Sequence, residues 1–252
     1  MSDTEYQGKV AVVTGGGRGL GKAFGAALTA RGAHVVLVDV DGAAAVSVAT
    51  ELTARGGSAI GIACDVTDEE GVAAMVGEVV QRHGGIDILV NNAGLHAAAY
   101  YLPFAQLGLA KLRRLFDVNV MGVVICSLAA KDAMTGRAAP AIVNISSSAA
   151  YANRNAYGVS KLAIRGLTMS LAREFAADGV RVNAIAPGLI FTDTIRAELP
   201  AVEMERAMEQ QLLRREGAEQ DIVEALLYLA SPKASFLTGE TLRVTGGFGL
   251  SV

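Results

Sequence analysis

The chain is poor in the residues on which several classes of protein depend. It has two cysteines and three histidines among 252 residues, and charged residues make up only 19% of it. Both cysteines, Cys64 and Cys126, stand in apolar runs, so we expect reduced, buried thiols of a cytosolic protein and no disulfide framework. The histidines His34, His83 and His96 are far apart and lack partners at ligand spacing, which argues against a catalytic metal site.

Long runs of one residue type are missing as well. No basic stretch resembles a nucleic-acid footprint, and the formal net charge is −3. No apolar run approaches the roughly 18 residues of a membrane span, and the polar, acidic start MSDTEYQGKV is unlike a signal peptide. With no fixed-period repeat and no linker-like segment, we expect one cytoplasmic domain over 1–252, with neither nucleic acid nor membrane as a partner.

What the chain does have is an alternation of short apolar runs with longer segments of helical period. Strands are predicted at KVAVVTGG, HVVLVDV, SAIGIACDV, IDILVNNAG, PAIVNISSS, VRVNAIAPG and GETLRVTGG. Helices are predicted over about 19–32, 42–55, 68–83, 109–134, 156–178 and 221–229, with Asp68 as an N-cap. Because the apolar strands do not alternate, we expect them to be buried on both faces. The pattern predicts an α/β protein, a single-domain, doubly wound Rossmann fold whose sheet of about seven parallel strands has helices on both faces.

Polar signatures follow the predicted strands: TGGGRGLG, Asp39, CDV, NNAG, NISSS and APG. Doubly wound sheets bind ligands outside the carboxyl ends of their strands. One site at that edge is therefore expected. In TGGGRGLG, Gly15 permits a sharp turn, and Gly19 and Gly21 let the backbone approach a pyrophosphate and the helix pack on the strand. A strand before, a helix after and an acid downstream are the context of a dinucleotide-binding loop.

Asp39 ends the second predicted strand, where a carboxylate can accept hydrogen bonds from the adenosine ribose hydroxyls. The same charge would repel a 2′-phosphate, which favours NAD over NADP. Arg18 points the other way, because it could pair with that phosphate. Since Val40 and not a basic residue follows Asp39, we predict NAD as the cofactor and keep NADP as the alternative.

Tyr157 and Lys161 stand four residues apart in NAYGVSKLAI, on one face of a helix. Together with the glycine spacing and NNAG, this YxxxK pair resembles the short-chain dehydrogenase/reductase family, and the resemblance runs from Lys9 to about Gly247. It implies a set of cofactor-binding residues that match the family's motifs: Gly15, Gly17, Arg18, Gly19, Leu20, Gly21, Asp39, Val40, Asp65, Val66, Asn92, Ala93, Gly94, Tyr157, Lys161, Pro187, Gly188, Ile190 and Thr192.

The resemblance also implies the chemistry. Tyr157 would take a proton from a secondary alcohol, or return it to a ketone, as a hydride moves to or from the nicotinamide. Lys161 and the positive nicotinamide would lower the pKa of the Tyr157 phenol, and Lys161 would hold the nicotinamide ribose. Asn119, in NVMG, would support a water that links Lys161 to solvent. Tyr151 cannot replace Tyr157, because the residue four positions on is the uncharged Asn155.

A serine is expected to polarise the substrate oxygen beside Tyr157. The family's usual spacing before the tyrosine lands on Asn144, inside a strand, so the loop here is shorter than usual. Anchoring on the strand end NISSS points to Ser147, with Ser146 and Ser148 as alternatives. The shortened loop is expected to reshape one wall of the substrate pocket.

The remaining expectations concern substrate and assembly. A mostly apolar pocket suits a secondary alcohol or ketone with a hydrophobic body, and the segment 193–215 is expected to be helical and to close over it. The pocket residues are expected to be Leu95, His96, Ser148, Tyr151, Asn153, Leu189 and Phe191. The family resemblance implies a homotetramer that uses the helices over 109–134 and 156–178. The rival hypotheses are an NADPH-dependent 3-oxoacyl thioester (acyl-carrier-protein) reductase and an NAD-binding protein without turnover.

Overall fold

A parallel sheet lies at the centre of the computed structural model, which describes residues 5–96, 100–152, 155–199 and 201–249. Its strand order is β3-β2-β1-β4-β5-β6-β7, and all neighbours in that order pair in parallel. The strands are β1 Val10–Thr14, β2 His34–Asp39, β3 Ser58–Ala63, β4 Ile88–Asn91, β5 Ala141–Ile145, β6 Arg181–Pro187 and β7 Thr241–Val244. The predicted seven-stranded α/β fold is confirmed.

Helices connect these strands. They are α1 Gly19–Thr29, α2 Gly42–Ala54, α3 Glu69–His83, α4 Phe104–Leu107, α5 Leu109–Phe116, α6 Gly122–Met134, α7 Ala149–Ala152, α8 Ala156–Glu174, α9 Asp193–Glu198, α10 Ala201–Glu209 and α11 Glu219–Ala230. In the part of the chain that the structure describes, no helix combines the length and the apolar character needed to cross a bilayer.

Two apolar cores, one on each face of the sheet, hold the layers together. On one face the strands pack against α1, α2 and α11, through side chains such as Phe24, Leu52 and Leu226. On the other face they pack against α3, α6 and α8, through side chains such as Met75 and Met134. Successive residues of β1 enter opposite cores, as the two-residue period of a strand requires. Both faces of the central strands are therefore buried, which explains their uninterrupted apolar character.

The position of the site follows from the strand order. The chain moves outward from β1 to β3 and then crosses back to β4 on the other side of β1. The loops after β1 and β4 therefore diverge and leave a crevice at the carboxyl edge of the sheet.

Several predicted elements differ from the structure. β3 is an edge strand with partly exposed residues, so the expectation of burial on both faces was wrong there. The predicted helix over 109–134 is interrupted by a π-helical turn, Asp117–Met121. The segment 193–215, predicted to be helical throughout, forms two short helices, Asp193–Glu198 and Ala201–Glu209. The sequence has a proline at position 200, which cannot donate a helical hydrogen bond. Asp68 occupies the N-cap position of α3, but its side chain makes no capping hydrogen bond.

Candidate active site

A cleft of about 320 Å³ lies at the carboxyl edge of the sheet. Most residues predicted for the site line it. From the expected cofactor set these are Gly15, Arg18, Gly19, Leu20, Asp39, Val40, Asp65, Val66, Asn92, Ala93, Gly94, Pro187, Gly188, Ile190 and Thr192. From the expected catalytic and substrate sets these are Ser147, Tyr157, Lys161, Leu95, His96 and Leu189.

The glycine loop fits a phosphate group. α1 begins after Arg18 with no side-chain cap and no acidic residue in its first turn, so its amides and the positive end of its dipole are available to an anion. Gly19 has φ +49° and nothing within 4 Å of where its Cβ would stand. A Cβ on Gly21 would lie 1.9 Å from the Gly15 carbonyl oxygen, so Gly21 permits the close approach of α1 to the turn.

Gly17 does not line the cleft, because its amide is already used. The Gly17 N–H donates to Asp39 Oδ2 at 3.0 Å, and the Asp41 N–H donates to Asp39 Oδ1 at 3.0 Å. These two hydrogen bonds hold the Asp39 carboxylate at the end of β2, where it faces the cleft beside Arg18. A side chain on Gly17 would collide with Asp39 and Ala44.

Asp65 lies at the end of the cleft next to Asp39 and is held from two directions. Its Oδ1 accepts hydrogen bonds from the amide and hydroxyl of Thr67, and its Oδ2 pairs with Arg114 at 3.1 Å. Burial would raise the pKa of Asp65, but these hydrogen bonds and the Arg114 charge together lower it. Arg114, on α5, therefore connects the far wall of the cleft to the loop after β3.

Tyr157 and Ser147 meet in the cleft. α7 and α8 follow β5 after a short loop, and the Ser147 side chain acts on the Tyr157 phenol, whose pKa it lowers. The Ser146 hydroxyl instead donates to the Lys161 carbonyl at 2.8 Å and is buried. Ser148 does not line the cleft, and its amide donates to the Pro187 carbonyl. Of the three candidate serines, the geometry favours Ser147.

Lys161 lies one helical turn after Tyr157 and is 6% exposed. Its Nζ donates to the Ile145 carbonyl at 2.8 Å and stands 5.9 Å from the centre of the Tyr157 ring. Burial lowers the pKa of Lys161 to about 8. A Cβ on Gly94 would lie 3.4 Å from this Nζ and 3.3 Å from Asn119 Oδ1, so the glycine of NNAG makes room for both side chains.

The pKa of Tyr157 departs from the expectation. Burial raises it above its ordinary value of 10.0, neighbouring Tyr101 raises it further, and only the hydrogen bond with Ser147 lowers it. The protein groups by themselves raise the pKa of Tyr157, where a lowered pKa was predicted. The reason is that the cost of desolvating the phenolate outweighs the favourable contact with Ser147.

Asn119 lies behind the cleft wall, in the π-helical turn. Its Oδ1 accepts from the Leu95 amide at 2.7 Å, and its Nδ2 donates to the Leu95 carbonyl and to the Ser160 hydroxyl, both at 3.1 Å. Both amide hydrogens are therefore used to fasten the loop after β4 to α8. The extra residue of the π turn aims this side chain at the loop.

Besides Ser148, two of the expected substrate residues lie outside the cleft lining. The Tyr151 ring is stacked between the guanidinium groups of Arg165 and Arg243, at 4.0 and 4.2 Å. Phe191 faces a second cavity, between α1, α2 and α11, and its ring lies 5.3 Å from the Arg196 guanidinium. Asn153 lies outside the described residues.

The cleft also has lining residues that sequence reasoning missed: Val38, Cys64, Tyr101, Arg114, Val118, Ile145 and Ile195. Tyr101 and Arg114 carry no motif and reach the cleft only through the fold. Ile195 lies on α9, within the segment expected to cover the substrate. Among the residues described, no group of three or more His, Cys, Asp or Glu side chains could hold a metal ion.

Comparison with known proteins agrees with this geometry. The family model described as enoyl-(acyl carrier protein) reductase matches residues 15–249. An uncharacterized oxidoreductase of Mycobacterium tuberculosis is 40% identical over 242 residues, which cover 96% of this chain and 98% of the relative. The chain belongs to the short-chain dehydrogenase/reductase family.

Two further members of the family have named activities. The cis-4-hydroxycyclohexanecarboxylate dehydrogenase of Sinomonas cyclohexanicum is 38% identical over 243 residues, covering 95% of this chain and 96% of that one. A solved 7α-hydroxysteroid dehydrogenase in complex with NADH and 7-oxo-glycochenodeoxycholic acid superposes with a TM-score of 0.91 at 34% identity, covering 98% of this chain and 97% of that one. The protein is thus similar to short-chain dehydrogenases whose substrates carry a ring hydroxyl.

Proposed function

We propose that this short-chain dehydrogenase/reductase interconverts a secondary alcohol and a ketone with NAD(H), and that Tyr157 is the general acid and base. One observation carries the proposal: Ser147, Tyr157 and Lys161 share a cleft with the glycine loop and Asp39. Hydride transfer coupled to proton transfer requires an acid or base next to the bound dinucleotide. In this cleft the candidate proton-transfer residues and the dinucleotide-binding loop lie side by side.

The cofactor would occupy the side of the cleft formed by the ends of β1, β2 and β4. The α1 amides and Gly19 would face its pyrophosphate, and Asp39 would accept hydrogen bonds from its adenosine ribose. When bound, the nicotinamide supplies the hydride acceptor or donor and, in its oxidised form, a positive charge. The Asp39 carboxylate, fixed by two backbone amides, supports NAD over NADP.

The catalytic side chains would act on the substrate oxygen. Ser147 would hydrogen-bond that oxygen and hold it next to the Tyr157 hydroxyl. In reduction the raised pKa of Tyr157 keeps the phenol protonated, so it is ready to donate to the ketone oxygen. In oxidation Tyr157 must release its proton first, and Ser147, which lowers the pKa of the phenol, favours the phenolate that forms. Lys161 would hold the nicotinamide ribose beside it. Asn119 would keep the loop after β4 against α8, so that the two walls of the cleft hold their spacing.

The relatives support a cyclic or otherwise bulky secondary alcohol as the substrate, because two of them are named for hydroxyl groups on rings. The apolar lining of Leu95, Leu189, Ile190 and Ile195 suits such a body. The helices α9 and α10 would cover it from the side of Ile195.

We also propose a cytoplasmic homotetramer. Cys64 and Cys126 are both free thiols, as expected in a reducing compartment. Several apolar side chains stand exposed on or next to the helices expected at the interface, and a second copy would cover them: Leu109, Met121, Leu128, Leu162 and Met169.

The second candidate is an NADPH-dependent 3-oxoacyl thioester reductase. It is favoured by Arg18, which is exposed at the cleft and could pair with a 2′-phosphate, and disfavoured by Asp39. The third is a protein that binds NAD without turnover, against which the Ser147, Tyr157 and Lys161 arrangement argues.

A spectrophotometric screen tests the proposal. Secondary alcohols and ketones would be assayed with NAD(H) and with NADP(H), using wild type, Tyr157→Phe and, as the matched control, Tyr228→Phe on the exposed face of α11. We expect NAD(H) turnover that falls about a hundredfold or more in Tyr157→Phe and is unchanged in Tyr228→Phe. Turnover confined to NADP(H) would favour the thioester reductase, and equal rates in wild type and Tyr157→Phe would refute the mechanism.

A further inference from the structure

Two adjacent tyrosines, Tyr100 and Tyr101, precede α4 and have different surroundings. Tyr100 packs against the small apolar cluster formed by Leu107, Leu115 and Ala156 together with Tyr157. Tyr101 lines the cleft and is 45% exposed. A large aromatic side chain that stands half exposed in a catalytic cleft is available for contact with reacting groups.

The Tyr101 ring touches the ring of Tyr157. Their centroids lie 5.3 Å apart, and the two planes make an angle of 65°. This is the edge-to-face arrangement that aromatic pairs prefer, because the positive edge of one ring meets the negative face of the other. The contact is directional, so it restrains the orientation of the Tyr157 ring as well as its position.

Tyr157 is restrained from both walls of the cleft: Leu107 and Leu115, on the same side as Tyr101, share its apolar cluster, and other groups act on it from the opposite wall. Ser147 precedes α7, and Lys161 lies on α8 together with Tyr157 itself. Tyr101 instead belongs to the connection between β4 and α4, so its contact joins the two walls that enclose the substrate. Without the Tyr101 ring, Tyr157 would keep its apolar cluster with Leu107 and Leu115 but would lose the aromatic contact that lies in the cleft itself.

We propose that Tyr101 is a positioning residue for Tyr157, holding its ring so that the phenol oxygen meets the substrate oxygen. The inference rests on the proposed function, because it deepens the role of Tyr157. Tyr101 also acts on the phenol electrostatically: after burial, it is the next cause that raises the pKa of Tyr157.

Three variants test the proposal in alcohol oxidation as a function of pH. Tyr101→Phe keeps the ring contact and removes the hydroxyl, so kcat should stay within about twofold while the pH at half-maximal kcat moves downward. Tyr101→Leu removes the ring, so kcat should fall about tenfold with KM changed less than about threefold, since small misplacements of a reacting group are costly. Tyr100→Phe, the matched control, should leave both values and the pH profile unchanged.

Two kinetic outcomes would overturn the proposal. An unchanged kcat in Tyr101→Leu would show that the ring does not position Tyr157. A rise in KM alone, with the pH profile of every variant equal to that of wild type, would make Tyr101 a substrate wall without influence on the acid and base.

A second measurement needs no turnover. Urea denaturation of Tyr101→Leu, Tyr157→Leu and the double variant forms a double-mutant cycle. If the two rings are in contact, the double variant should lose less unfolding free energy than the sum of the losses in the two single variants. Strict additivity would overturn the contact. If the cycle shows coupling but Tyr157→Phe turns over like wild type, then the proposed function has failed, and the two failures are thereby distinguished.

Discussion

At the residue scale, Lys161 is a cation at a buried position, where its charged form is destabilised. Burial lowers its pKa to about 8 from 10.5, so below about pH 8 the folded protein holds a desolvated ammonium, at a cost of up to about 3 kcal/mol. The cost decreases as the pH rises from about 8 and is absent above 10.5, where the unfolded chain also loses the proton. Such a cost at an active site is expected when function opposes stability.

We predict that Lys161→Met abolishes turnover and raises the free energy of unfolding at pH 7 by about 1–2 kcal/mol, part of the gain being offset by the lost hydrogen bond to Ile145. Urea denaturation at pH 7 and at pH 10 checks this, with a smaller gain expected at pH 10. Lys111→Met, at an exposed position of α5, is the control and should change stability by less than about 0.5 kcal/mol. A less stable Lys161→Met would contradict the account of Lys161.

Under the proposed function, we expect single residues to decide the choice of cofactor as well. We predict that Asp39→Asn lowers the ratio of kcat/KM for NAD to that for NADP by about tenfold or more, because a hydrogen bond to a charged group is worth about 1.5–3 kcal/mol and the repulsion of a 2′-phosphate is lost. Steady-state kinetics with both cofactors measures the ratio. Asp41→Asn is the control, since Asp41 caps α2 through Ala44 and does not line the cleft. An unchanged ratio in Asp39→Asn would assign selectivity to Arg18.

At the element scale, the first turn of α8 presents Tyr157, and the cap of that helix fixes the turn. Asn155 is the N-cap, and its side chain accepts a hydrogen bond from the Gly158 amide at 2.9 Å. Asn155 is also the residue four positions after Tyr151, and its side chain is uncharged. Tyr151 therefore lacks the cationic partner that Tyr157 has in Lys161. A frayed first turn would move Tyr157 relative to Ser147, whose position depends on β5.

We predict that Asn155→Ala lowers the free energy of unfolding by about 1 kcal/mol and lowers kcat several-fold, and that Asn155→Ser restores both, because serine caps as well as asparagine. Thermal denaturation and kcat are measured together. Asp41→Ala removes the equivalent cap of α2 and should cost similar stability without the loss of kcat. If Asn155→Ala lost stability but kept full kcat, the cap would have no part in placing Tyr157.

At the scale of the whole molecule, the edge of the sheet opposite the cleft is held by a buried charge. The Asp87 carboxylate accepts from Lys9 and Arg137 and from the Val10 amide, so it connects β1, β4 and the end of α6. Burial by itself would raise the pKa of Asp87, but these hydrogen bonds lower it below 3.8. Its contribution to stability is therefore present above about pH 4 and is lost as the pH falls through the lowered value.

We predict that Asp87→Asn lowers the free energy of unfolding at pH 7 by about 3 kcal/mol, since it leaves Lys9 and Arg137 without their counter-charge. The difference from wild type should shrink at pH 3. Glu51→Gln, which breaks the exposed pairs with Lys22 and Arg55, should cost less than about 1 kcal/mol. Equal costs at the two positions, measured by denaturant titration, would contradict the role given to Asp87.

Most of the fold was predictable because its signals are local. Apolar runs separated by segments of helical period predict a parallel sheet. The glycine loop, NNAG and YxxxK are each a short motif whose residues lie within a few positions of one another. Helix ends were less predictable, since Asp68 has the chemistry of a cap and makes no capping bond. The π turn at Asn119 likewise depends on what its segment packs against. The break in 193–215 had a local signal, the proline at position 200.

By itself, the sequence determined the family, the sheet and the residues that its motifs name, because short patterns carry the backbone and side-chain chemistry that those features need. Only the tertiary structure decided which serine faces Tyr157, that Gly17 holds Asp39, and that Tyr101 and Arg114 reach the cleft. It also decided the direction of the Tyr157 pKa shift. The reason is physical: contacts between residues far apart in the chain, and the desolvation of a charge, depend on how strands and helices are placed together, and no local pattern records that placement.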